Sequence, residues 1–423
     1  MKIKFITLGC KTNIYESEAM AELFRKRGHE MVENDEIADV CVINTCTVTG
    51  TGAQKSRQQI RRARNKNPNA IIAVTGCFAQ TEPESVREIE GVDIIIGNKY
   101  RSQIVTLVEN ATKGLKTDRI ENILVEHEYE ELGSTNSQSR IRANIKIEDG
   151  CNNFCTYCII PYARGPVRSR LIKNIYAEAK NLAKSGFKEV VLTGIHIGSY
   201  GRDLKEEITL IDVIESIHDI EGIERIRLGS IEPVLITSEY VKRAEKLSKL
   251  CPQYHLSLQS GCNETLKRMN RHYSAEEYMT ACELLKSHIK DVAITTDLMV
   301  GFPGETDEEF NESYEFCRRI GFSQMHIFKY SVRTGTVAEK MPNQVSEHLK
   351  DERSRKMLAL AEKMKADFYD THTGTRMPVL IEARQKNGKY HATTPNYMDV
   401  YIDCDTDMCG KIVEVTIGED KIC

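Results

Sequence analysis

The chain has 423 residues, of which 40% are hydrophobic and 28% charged, and its formal net charge is −4. This composition is ordinary for a globular protein, and the length allows about two to four domains. The small net charge excludes a basic field over the whole surface, so a nucleic-acid partner would have to be bound by local patches. No apolar run reaches the roughly 18 residues of a membrane span. The apolar run at the start is too short for a signal peptide, which predicts a cytoplasmic protein.

The cysteine content is high, with 14 cysteines in the chain. Without an export signal, so many thiols favour metal binding over disulfides. Cys41, Cys282 and Cys317 lie inside apolar periodic segments, where we expect small buried thiols. The cysteines with glycine or turn-forming neighbours are better candidates for ligands.

Residues 3–110 alternate between apolar strands and helices, which predicts a parallel α/β sheet covered on both faces. The predicted strands are 4–8, 39–44, 70–75 and 92–96, with helices at 16–28, 53–65 and 100–109. Cys10, Cys46 and Cys77 each come just after one of the first three strands. Ligands bind at that edge of an open α/β sheet. Three thiols there indicate an iron–sulfur cluster with three protein ligands, and unrelated core cysteines are the alternative.

The second predicted helix is strongly basic. It carries Lys55, Arg57, Arg61, Arg62, Arg64 and Lys66 with almost no acid between them. A run of charge is most often a solvated helix face. Because this run lies near the cysteine edge, it is also a candidate surface for contacting phosphates.

The sequence pattern divides the chain into three domains and one linker. After a domain at 1–115, residues 116–139 are polar and without periodicity, and they predict a linker with a turn-forming tract at 133–139. Residues 140–368 contain six strand–helix units, which predict a partial (β/α)6 barrel. Residues 369–423 contain short strands and an Asn-Gly hairpin signal, which predict a small β-barrel.

The first strand of the central domain leads into the sequence CNNFCTYC, which contains Cys151, Cys155 and Cys158. Three thiolates on one loop can bind three irons of a 4Fe-4S cluster and leave the fourth iron open. Zinc is the alternative, and it would need a fourth nearby ligand, for which His196 is the closest candidate. The spacing, with Tyr157 before the last cysteine, favours the cluster.

Polar residues and glycines follow the later strands of the central domain, at the face where barrel enzymes place their chemistry. Ser230, Glu232 and Gln259 could bind a ribose, an amino group or a carboxylate, although each could also cap a turn. The segment Gly301 to Thr306 contains two glycines and a proline, and it predicts a fixed turn with Glu305 at the start of a helix.

CxxxCxxC with an aromatic residue before the last cysteine resembles the radical S-adenosylmethionine superfamily. The segments Leu8–Lys11, Asn44–Cys46, Thr75–Cys77, Asp149–Gly165, Gly301–Thr306 and Ser331–Thr336 are similar to its methylthiotransferase family. The resemblance covers the whole chain and implies an auxiliary-cluster domain, a radical domain and a C-terminal TRAM domain. Cys10–Met20 and Lys55–Gln58 resemble the branch that modifies threonylcarbamoyladenosine at tRNA position 37. In the ribosomal-protein branch a proline usually stands where this chain has Lys11.

The resemblance also implies the chemistry. Two 4Fe-4S clusters and S-adenosylmethionine would be the cofactors, and a methylthio group would replace the hydrogen at carbon 2 of the adenine. One cluster would be held by Cys151, Cys155 and Cys158, and the other by Cys10, Cys46 and Cys77. The expected cofactor-binding residues are Tyr157, Gly194, Ser230, Glu232 and Gln259. The expected substrate-binding residues are Lys55, Arg57, Arg61, Arg62 and Arg333.

The expected partners are the anticodon loop of tRNA, an electron donor and a sulfur source, with no membrane. Three alternatives stay open at this point. The substrate could be isopentenyladenosine in tRNA or an aspartate of a ribosomal protein, or the chain could be a non-enzymatic electron-transfer protein.

Overall fold

The computed structural model describes residues 1–33, 36–48, 50–133, 141–404 and 406–418. Most of the turn-forming tract predicted at 133–139 therefore lies outside the described residues, as do residues 419–423. Within the described ranges, no helix is both long and apolar enough to cross a membrane.

The N-terminal domain is built on a six-stranded parallel sheet with the order β2-β1-β3-β4-β5-β6. Its strands are β1 (Lys2–Thr7), β2 (Glu30–Met31), β3 (Val40–Thr45), β4 (Ile71–Gly76), β5 (Ile94–Ile96) and β6 (Thr117–Arg119). Its helices are α1 (Lys11–Lys26), α2 (Gly50–Lys66), α3 (Cys77–Thr81), α4 (Pro83–Arg87) and α5 (Ile104–Ala111). Val40 and Val42 pack into one core, whereas Cys41 and Ile43 pack into the other. The predicted sheet, covered on both faces, is confirmed.

Two predictions for this domain need correction. Helix α1 begins at Lys11 rather than at Glu16, because the extended backbone of Cys10 already forms its N-terminal boundary. Strand β6 lies inside the predicted linker and pairs with β5. It has only three residues, all polar or charged, so it shows no alternation that a sequence pattern could detect.

The central domain contains two parallel sheets, with the orders β11-β10-β7 and β12-β13-β14-β15. Its main strands are β7 (Arg142–Lys146), β10 (Glu189–Thr193), β11 (Arg225–Leu228), β12 (Ser230–Ile231), β13 (Gln253–Leu256), β14 (Ala293–Val300) and β15 (Gln324–Lys329). Two short antiparallel strands are β8 (Glu148–Asp149) and β9 (Arg168–Ser169). Only Gly229 separates β11 from β12, so the two sheets join at this point. With β11 and β12 counted as one strand, the partial barrel has six strand positions. The predicted partial (β/α)6 barrel is confirmed.

The helices of the central domain cover the outside of the partial barrel, except the first, which packs against α3 of the N-terminal domain. They are α6 (Ile160–Arg164), α7 (Ile172–Lys184), α8 (Leu210–His218), α9 (Ser238–Ala244), α10 (Asn263–Arg268), α11 (Ala275–His288), α12 (Asp307–Ile320) and α13 (Glu347–Asp370). Cys282 and Cys317 are 1% and 0% exposed in the core between strands and helices, as predicted for small buried thiols. Thr306 caps α12 together with Glu309, so the predicted turn before it does lead into a helix.

The C-terminal domain is a four-stranded antiparallel sheet with the order β18-β17-β16-β19. Its strands are β16 (Arg376–Arg384), β17 (Tyr390–Thr393), β18 (Asp399–Ile402) and β19 (Ile412–Thr416). Gly388 has φ +87 in the turn between β16 and β17, which fits the Asn-Gly hairpin signal. The all-β character of this domain is confirmed.

The C-terminal domain contacts the beginning of the barrel strands, on the side opposite to their carboxyl ends. Arg225, the first residue of β11, donates to the carbonyl oxygens of Thr393 and Pro378 at 2.9 and 2.8 Å. Arg227 donates to the carbonyl oxygen of Pro395 at 3.0 Å, and its guanidinium lies 4.8 Å from the ring centre of Tyr397. The C-terminal domain therefore does not cover the carboxyl edge of the barrel, which faces the N-terminal domain.

Candidate active site

The first cysteine set, Cys10, Cys46 and Cys77, lies at the carboxyl edge of the N-terminal sheet. Strands β1, β3 and β4 are neighbours in that sheet, and one of the three cysteines follows each of them. A Cβ atom built on Gly9 would lie 3.1 Å from Sγ of Cys46, so the first and second strand ends approach closely. The structure thus brings the three strand ends to one edge, and the role of these thiols as ligands stays a prediction.

Gly76, the residue before Cys77, allows the ends of two neighbouring strands to lie close together. Gly76 has φ +97, and a Cβ atom there would lie 2.5 Å from both Oδ1 of Asn44 and the carbonyl oxygen of Thr45. No side chain fits in that space, and L-residues rarely adopt that backbone conformation. Gly76 therefore allows β4 to end against β3 and places Cys77 at the shared edge.

Cys77 is buried, and two side chains from other segments reach its sulfur. Nε of Arg164 donates to Sγ at 3.2 Å, and Nδ2 of Asn98 lies 3.6 Å from it. Burial raises the pKa of the Cys77 thiol, whereas the positive charge of Arg164 lowers it. The thiolate needed for metal binding is therefore favoured by a cation that the central domain supplies.

The second cysteine set lies on one irregular loop between β8 and α6. Gly150 has φ +88, and the N–H of Cys151 donates to the carbonyl oxygen of Gly165 at 3.0 Å, which closes the loop at its base. The N–H of Cys158 donates to the carbonyl oxygen of Cys155 at 2.9 Å. Burial raises the pKa of the Cys151 thiol, and it raises the pKa of Cys158 to about 12.

The donor chemistry fits iron–sulfur clusters better than zinc. A 4Fe-4S cluster binds each thiolate through a different iron, whereas zinc needs four ligands around one ion. Among the described residues, no three His, Cys, Asp or Glu side chains are grouped so that they could hold one ion. His196, the candidate fourth ligand under the zinc alternative, lies 3.1 Å from Glu232 through Nε2 and contacts Ser199 through Nδ1.

Glu232, predicted to bind a cofactor, has several protein partners. Its carboxylate accepts from Nδ2 of Asn153 at 2.9 Å and lies 2.7 Å from Nη2 of Arg271 and 3.1 Å from Nε2 of His196. Burial alone would raise the pKa of Glu232, but His196 and Arg271 lower it to about 2. Glu232 is therefore an ionised carboxylate that holds the cysteine loop through Asn153.

Gln259 and Gly194 have the features of residues that line a ligand. Gln259 is 7% exposed with φ +68, and its Oε1 has no hydrogen-bond partner among the described residues. A buried acceptor without a donor is costly, and a bound ligand could supply the donor. A Cβ atom on Gly194 would lie 2.7 Å from Oε2 of Glu148, so only glycine fits at the end of β10.

The remaining two predicted cofactor residues differ in their surroundings. Ser230 is exposed as the first residue of β12. The ring of Tyr157 meets that of Phe302 edge-on, with 6.4 Å between centroids, beside Met269 and Met299. Tyr157 therefore anchors the loop in an apolar cluster, and Ser230 stays available to a ligand.

Two of the predicted substrate-binding arginines are paired. Nη1 of Arg57 lies 3.6 Å from Oε2 of Glu82, and its guanidinium lies 5.5 Å from the ring centre of Phe78. Nη2 of Arg333 donates to Oε1 of the same carboxylate at 2.6 Å and also to Oγ1 of Thr47. The side chain of Arg333 is 7% exposed and therefore does not face solvent. Its contacts join the barrel to the segment after Cys46.

Lys55, Arg61 and Arg62 lie exposed on α2, and none of the three makes an ion pair within the described part of the chain. Arg64, from the same basic run, instead donates to the carbonyl oxygens of Gly91 and Ala70 at 3.1 and 2.9 Å. The basic helix thus divides into a solvent-facing group and a structural arginine.

Sequence patterns did not reveal the segment after α10, which supports the cysteine loop. Nδ2 of Asn270 donates to the carbonyl oxygens of Asn153 and Phe154, both at 3.1 Å. Nη1 of Arg271 lies 3.3 Å from Sγ of Cys155. The only signal in the sequence is a polar tract after a helix, and such a tract does not indicate its partner.

Two family profiles match the chain. The radical SAM superfamily matches residues 145–317, and the uncharacterized protein family UPF0004 matches residues 2–97. The first match covers the cysteine loop and most of the barrel, and the second covers the three strand-end cysteines.

Two relatives are similar over nearly the whole chain. Threonylcarbamoyladenosine tRNA methylthiotransferase MtaB of Bacillus subtilis (strain 168) is 42% identical over 420 residues, which cover 98% of this chain and 93% of that protein. The tRNA-2-methylthio-N(6)-dimethylallyladenosine synthase of Thermoanaerobacter sp. (strain X514) is 38% identical, with 98% of this chain and 90% of that protein covered.

Among solved structures, the radical S-adenosylmethionine methyltransferase TsrM from Kitasatospora setae, with cobalamin and a [4Fe-4S] cluster bound, matches with a TM-score of 0.61. The alignment covers 80% of this chain and 77% of that chain at 13% identity. At so low an identity, the likeness supports the fold alone.

Proposed function

Because this chain belongs to the radical S-adenosylmethionine methylthiotransferase family, we propose that it transfers a methylthio group to carbon 2 of N(6)-threonylcarbamoyladenosine at position 37 of tRNA. The observation that carries this proposal is a contact across one domain interface, where Arg164, six residues after Cys158, donates to Sγ of Cys77 at 3.2 Å. The choice of nucleoside follows the relative that is 42% identical.

The residues present fit two 4Fe-4S clusters. When bound, the clusters and S-adenosylmethionine supply the electron-transfer, radical and methyl-donor chemistry, which the protein orients and shields from water. The set that would hold the S-adenosylmethionine cluster is Cys151, Cys155 and Cys158. The set that would hold the auxiliary cluster is Cys10, Cys46 and Cys77.

The polar groups beside the cysteine loop would orient S-adenosylmethionine. The unpartnered Oε1 of Gln259 is placed to accept from an amino group, and the exposed hydroxyl of Ser230 could bind a ribose or a carboxylate. Gly194 allows a ligand to approach the backbone after β10. Tyr157 and Glu232 would act less directly, because their contacts hold the loop that carries the thiols.

The tRNA would reach the site at the carboxyl edges of the two parallel sheets. The target base must leave the stack of the anticodon loop before its carbon 2 can approach both cysteine sets. Lys55, Arg61 and Arg62 would contact phosphates, because they are exposed cations without ion pairs among the described residues. Arg57 and Arg333 share Glu82, and they would contribute only if the tRNA changes that pairing.

The reaction also needs an electron donor and a sulfur source. A low-potential reductant would supply the electron that cleaves S-adenosylmethionine, and a sulfide or persulfide donor would supply the sulfur of each product. The 13 cysteines of the described residues are all free thiols. Free thiols and a tRNA substrate together suit the reducing cytoplasm, where we place the reaction.

Three alternatives define the outcomes of the test. The Thermoanaerobacter relative at 38% identity favours a dimethylallyladenosine substrate as the second candidate. A ribosomal-protein aspartate is less favoured, because Lys11 stands where that branch usually has proline. A non-enzymatic electron-transfer protein would not cleave S-adenosylmethionine on reduction.

The substrate is tested by mass spectrometry of tRNA nucleosides from cells that lack this chain. We expect threonylcarbamoyladenosine without its 2-methylthio form, and restoration of that form when the wild-type chain is returned. The Cys77→Ala variant should not restore it, whereas the Cys409→Ala variant should, since Cys409 is an exposed thiol of the C-terminal domain.

Loss of 2-methylthio-dimethylallyladenosine instead would move the substrate to the second candidate. If both methylthio nucleosides stay unchanged, the tRNA assignment is wrong. An assay for 5′-deoxyadenosine under reducing conditions separates any enzyme of this family from an electron carrier, which would form none.

A further inference from the structure

Arg164 occupies an unusual position between the two cysteine sets. It is the last residue of α6, six positions after Cys158, and its side chain is 0% exposed. From the central domain it reaches the carboxyl edge of the N-terminal sheet, where Nε donates to Sγ of Cys77 at 3.2 Å. One guanidinium therefore joins the end of the cysteine loop to a predicted ligand of the other cluster.

The other nitrogens of Arg164 bind the segments that flank both sets. Nη2 donates to Oδ1 of Asn13, three residues after Cys10, and to Oε2 of Glu16 at 3.1 Å. Nη1 lies 3.3 Å from both carboxylate oxygens of Asp149, two residues before Cys151. The planar fork of arginine can make these contacts at once, whereas the single ammonium of lysine cannot.

These contacts belong to a buried ionic cluster of four basic and three acidic side chains. Its cations are Lys146, Arg101, Arg164 and Arg168, and its carboxylates are Glu16, Asp149 and Glu130. Burial alone would raise the pKa of Glu16, but Arg101, Arg164 and Lys146 hold it well below its usual range. Four basic side chains thus face three carboxylates beside the contact between Arg164 and Cys77.

A cation that donates to a cluster sulfur stabilises the more reduced, more negative state of that cluster. Hydrogen bonds to the sulfurs and local charge are among the main determinants of iron–sulfur potentials. In a buried site with a low effective dielectric constant these contributions are larger than at a surface. The same contacts also fix the separation of two cofactors that lie on different domains.

We infer that Arg164 is the positioning residue that sets the spacing between the two clusters and raises the reduction potential of the cluster at Cys10, Cys46 and Cys77. This inference rests on the proposed two-cluster function. Arg164 acts through its contacts with Cys77, Asn13 and Asp149.

The test is a redox titration followed by EPR on the full-length, anaerobically reconstituted protein. A Cys151→Ala, Cys155→Ala, Cys158→Ala background leaves the auxiliary cluster as the only source of signal. In this background, Arg164→Gln should lower the ratio of reduced to oxidised cluster at least tenfold at a fixed potential. That shift corresponds to about 59 mV for a one-electron couple. Arg164→Lys keeps the charge but loses the fork, and it should give a smaller shift in the same direction.

Arg101→Gln is the matched control. Arg101 is similarly buried in the same ionic cluster, with Nη1 beside Glu16 and Nη2 3.5 Å from Asp149. Among the described residues it makes no hydrogen bond to a cysteine sulfur. We expect less than a twofold change in the redox ratio for this variant. In protein with both clusters, pulsed EPR should give a broader distribution of cluster–cluster distances for Arg164→Lys than for wild type.

An unchanged auxiliary potential in both Arg164 variants would overturn the inference, as would an equal shift in Arg101→Gln, because net charge rather than the sulfur contact would then be responsible. If Arg164→Gln does not fold, Arg164→Lys carries the same test. The absence of any cluster signal in the triple-alanine background would instead defeat the proposed function itself.

Discussion

Cys151, Cys155 and Cys158 lie on one short loop, whereas Cys10, Cys46 and Cys77 come from three strand ends spread over most of the N-terminal domain. The loop combines local hydrogen bonds, such as that from the N–H of Cys158 to the carbonyl oxygen of Cys155, with support from Asn270 in the same domain. The strand-end set needs the register of β1, β3 and β4 before its thiols can approach one another.

The difference shows two routes to the same ligand chemistry. A loop carries its ligands close together in sequence, although later segments of the same domain, such as Asn270 and Glu232, hold its backbone and side chains in place. A site at a sheet edge exists only when the sheet has formed, so metal binding there is coupled to folding of the domain. We therefore expect damage to the sheet to affect one cysteine set and spare the other.

The largest expected effect comes from removing either set. With Cys10, Cys46 and Cys77 changed to Ala, methylthio product should fall more than about 100-fold, beyond the loss caused by removing a residue that only supports a ligand. Formation of 5′-deoxyadenosine should continue in that variant. With Cys151, Cys155 and Cys158 changed to Ala, both products should disappear. Liquid chromatography of both products checks this, and equal loss of 5′-deoxyadenosine in the two variants would contradict separate roles.

Gly76→Ala should damage the strand-end set alone. The new Cβ atom would lie 2.5 Å from the backbone of β3 at a left-handed φ, so we expect a loss of about 1–3 kcal/mol in the free energy of unfolding. Iron held by the N-terminal domain should also fall, because Cys77 moves.

Gly28→Ala is the matched control for that change. Gly28 also has a positive φ of +80, but apart from its chain neighbours no atom of the described residues lies within 4 Å of its added Cβ. We expect only the cost of backbone strain, with the iron content unchanged. Urea unfolding and iron analysis compare the two variants, and equal iron loss in both would refute the role of the close approach.

The loop set should respond to pH through Glu148. Burial raises the pKa of its carboxyl to about 8, although the N–H groups of His196 and Ile195 oppose this. Because the folded pKa exceeds the unfolded value, the stabilisation is complete below about pH 4.5 and is lost as the pH rises through 8.

Wild type should therefore lose up to about 1.4 kcal/mol per pH unit between pH 6 and 8 relative to Glu148→Gln. Urea unfolding of both proteins at the two pH values measures the difference. Parallel pH dependence in the two proteins would show that Glu148 is ionised throughout.

The smallest effect is expected on the basic helix. Arg62→Ala should reduce the slope of log affinity for tRNA against log salt concentration by about 1, because one exposed phosphate contact is lost. Arg64→Ala should leave that slope unchanged and lower stability, since Arg64 binds the carbonyl oxygens of Gly91 and Ala70. Filter binding at several salt concentrations decides between them, and a changed slope in Arg64→Ala alone would reverse the assignment.

Local sequence patterns predicted the regular strands and helices of the fold. The apolar strands before Cys10, Cys46 and Cys77 indicated the sheet, and the change from helical to strand periodicity after α13 indicated the C-terminal domain. The C-terminal domain follows helix α13, which spans Glu347–Asp370. In each case the sequence pattern that carries the prediction lies within a few helical turns or within one strand.

Contacts between distant segments could not be predicted in this way. Arg164 meets Cys77 and Glu16 across a domain interface, and a charged residue has no period that identifies its partner. Strand β6 was missed because a short edge strand needs no apolar face. Glu232 was predicted as a cofactor ligand from its position after a strand, and its partners His196 and Arg271 are visible only in three dimensions.

The central claim is that each cysteine set holds its own 4Fe-4S cluster, and quantification of iron and sulfide with Mössbauer spectroscopy tests it most directly. Wild-type protein reconstituted without oxygen should contain about eight irons per chain, and each triple-alanine variant about four. About four irons in wild type, with no loss on changing Cys10, Cys46 and Cys77, would contradict the claim.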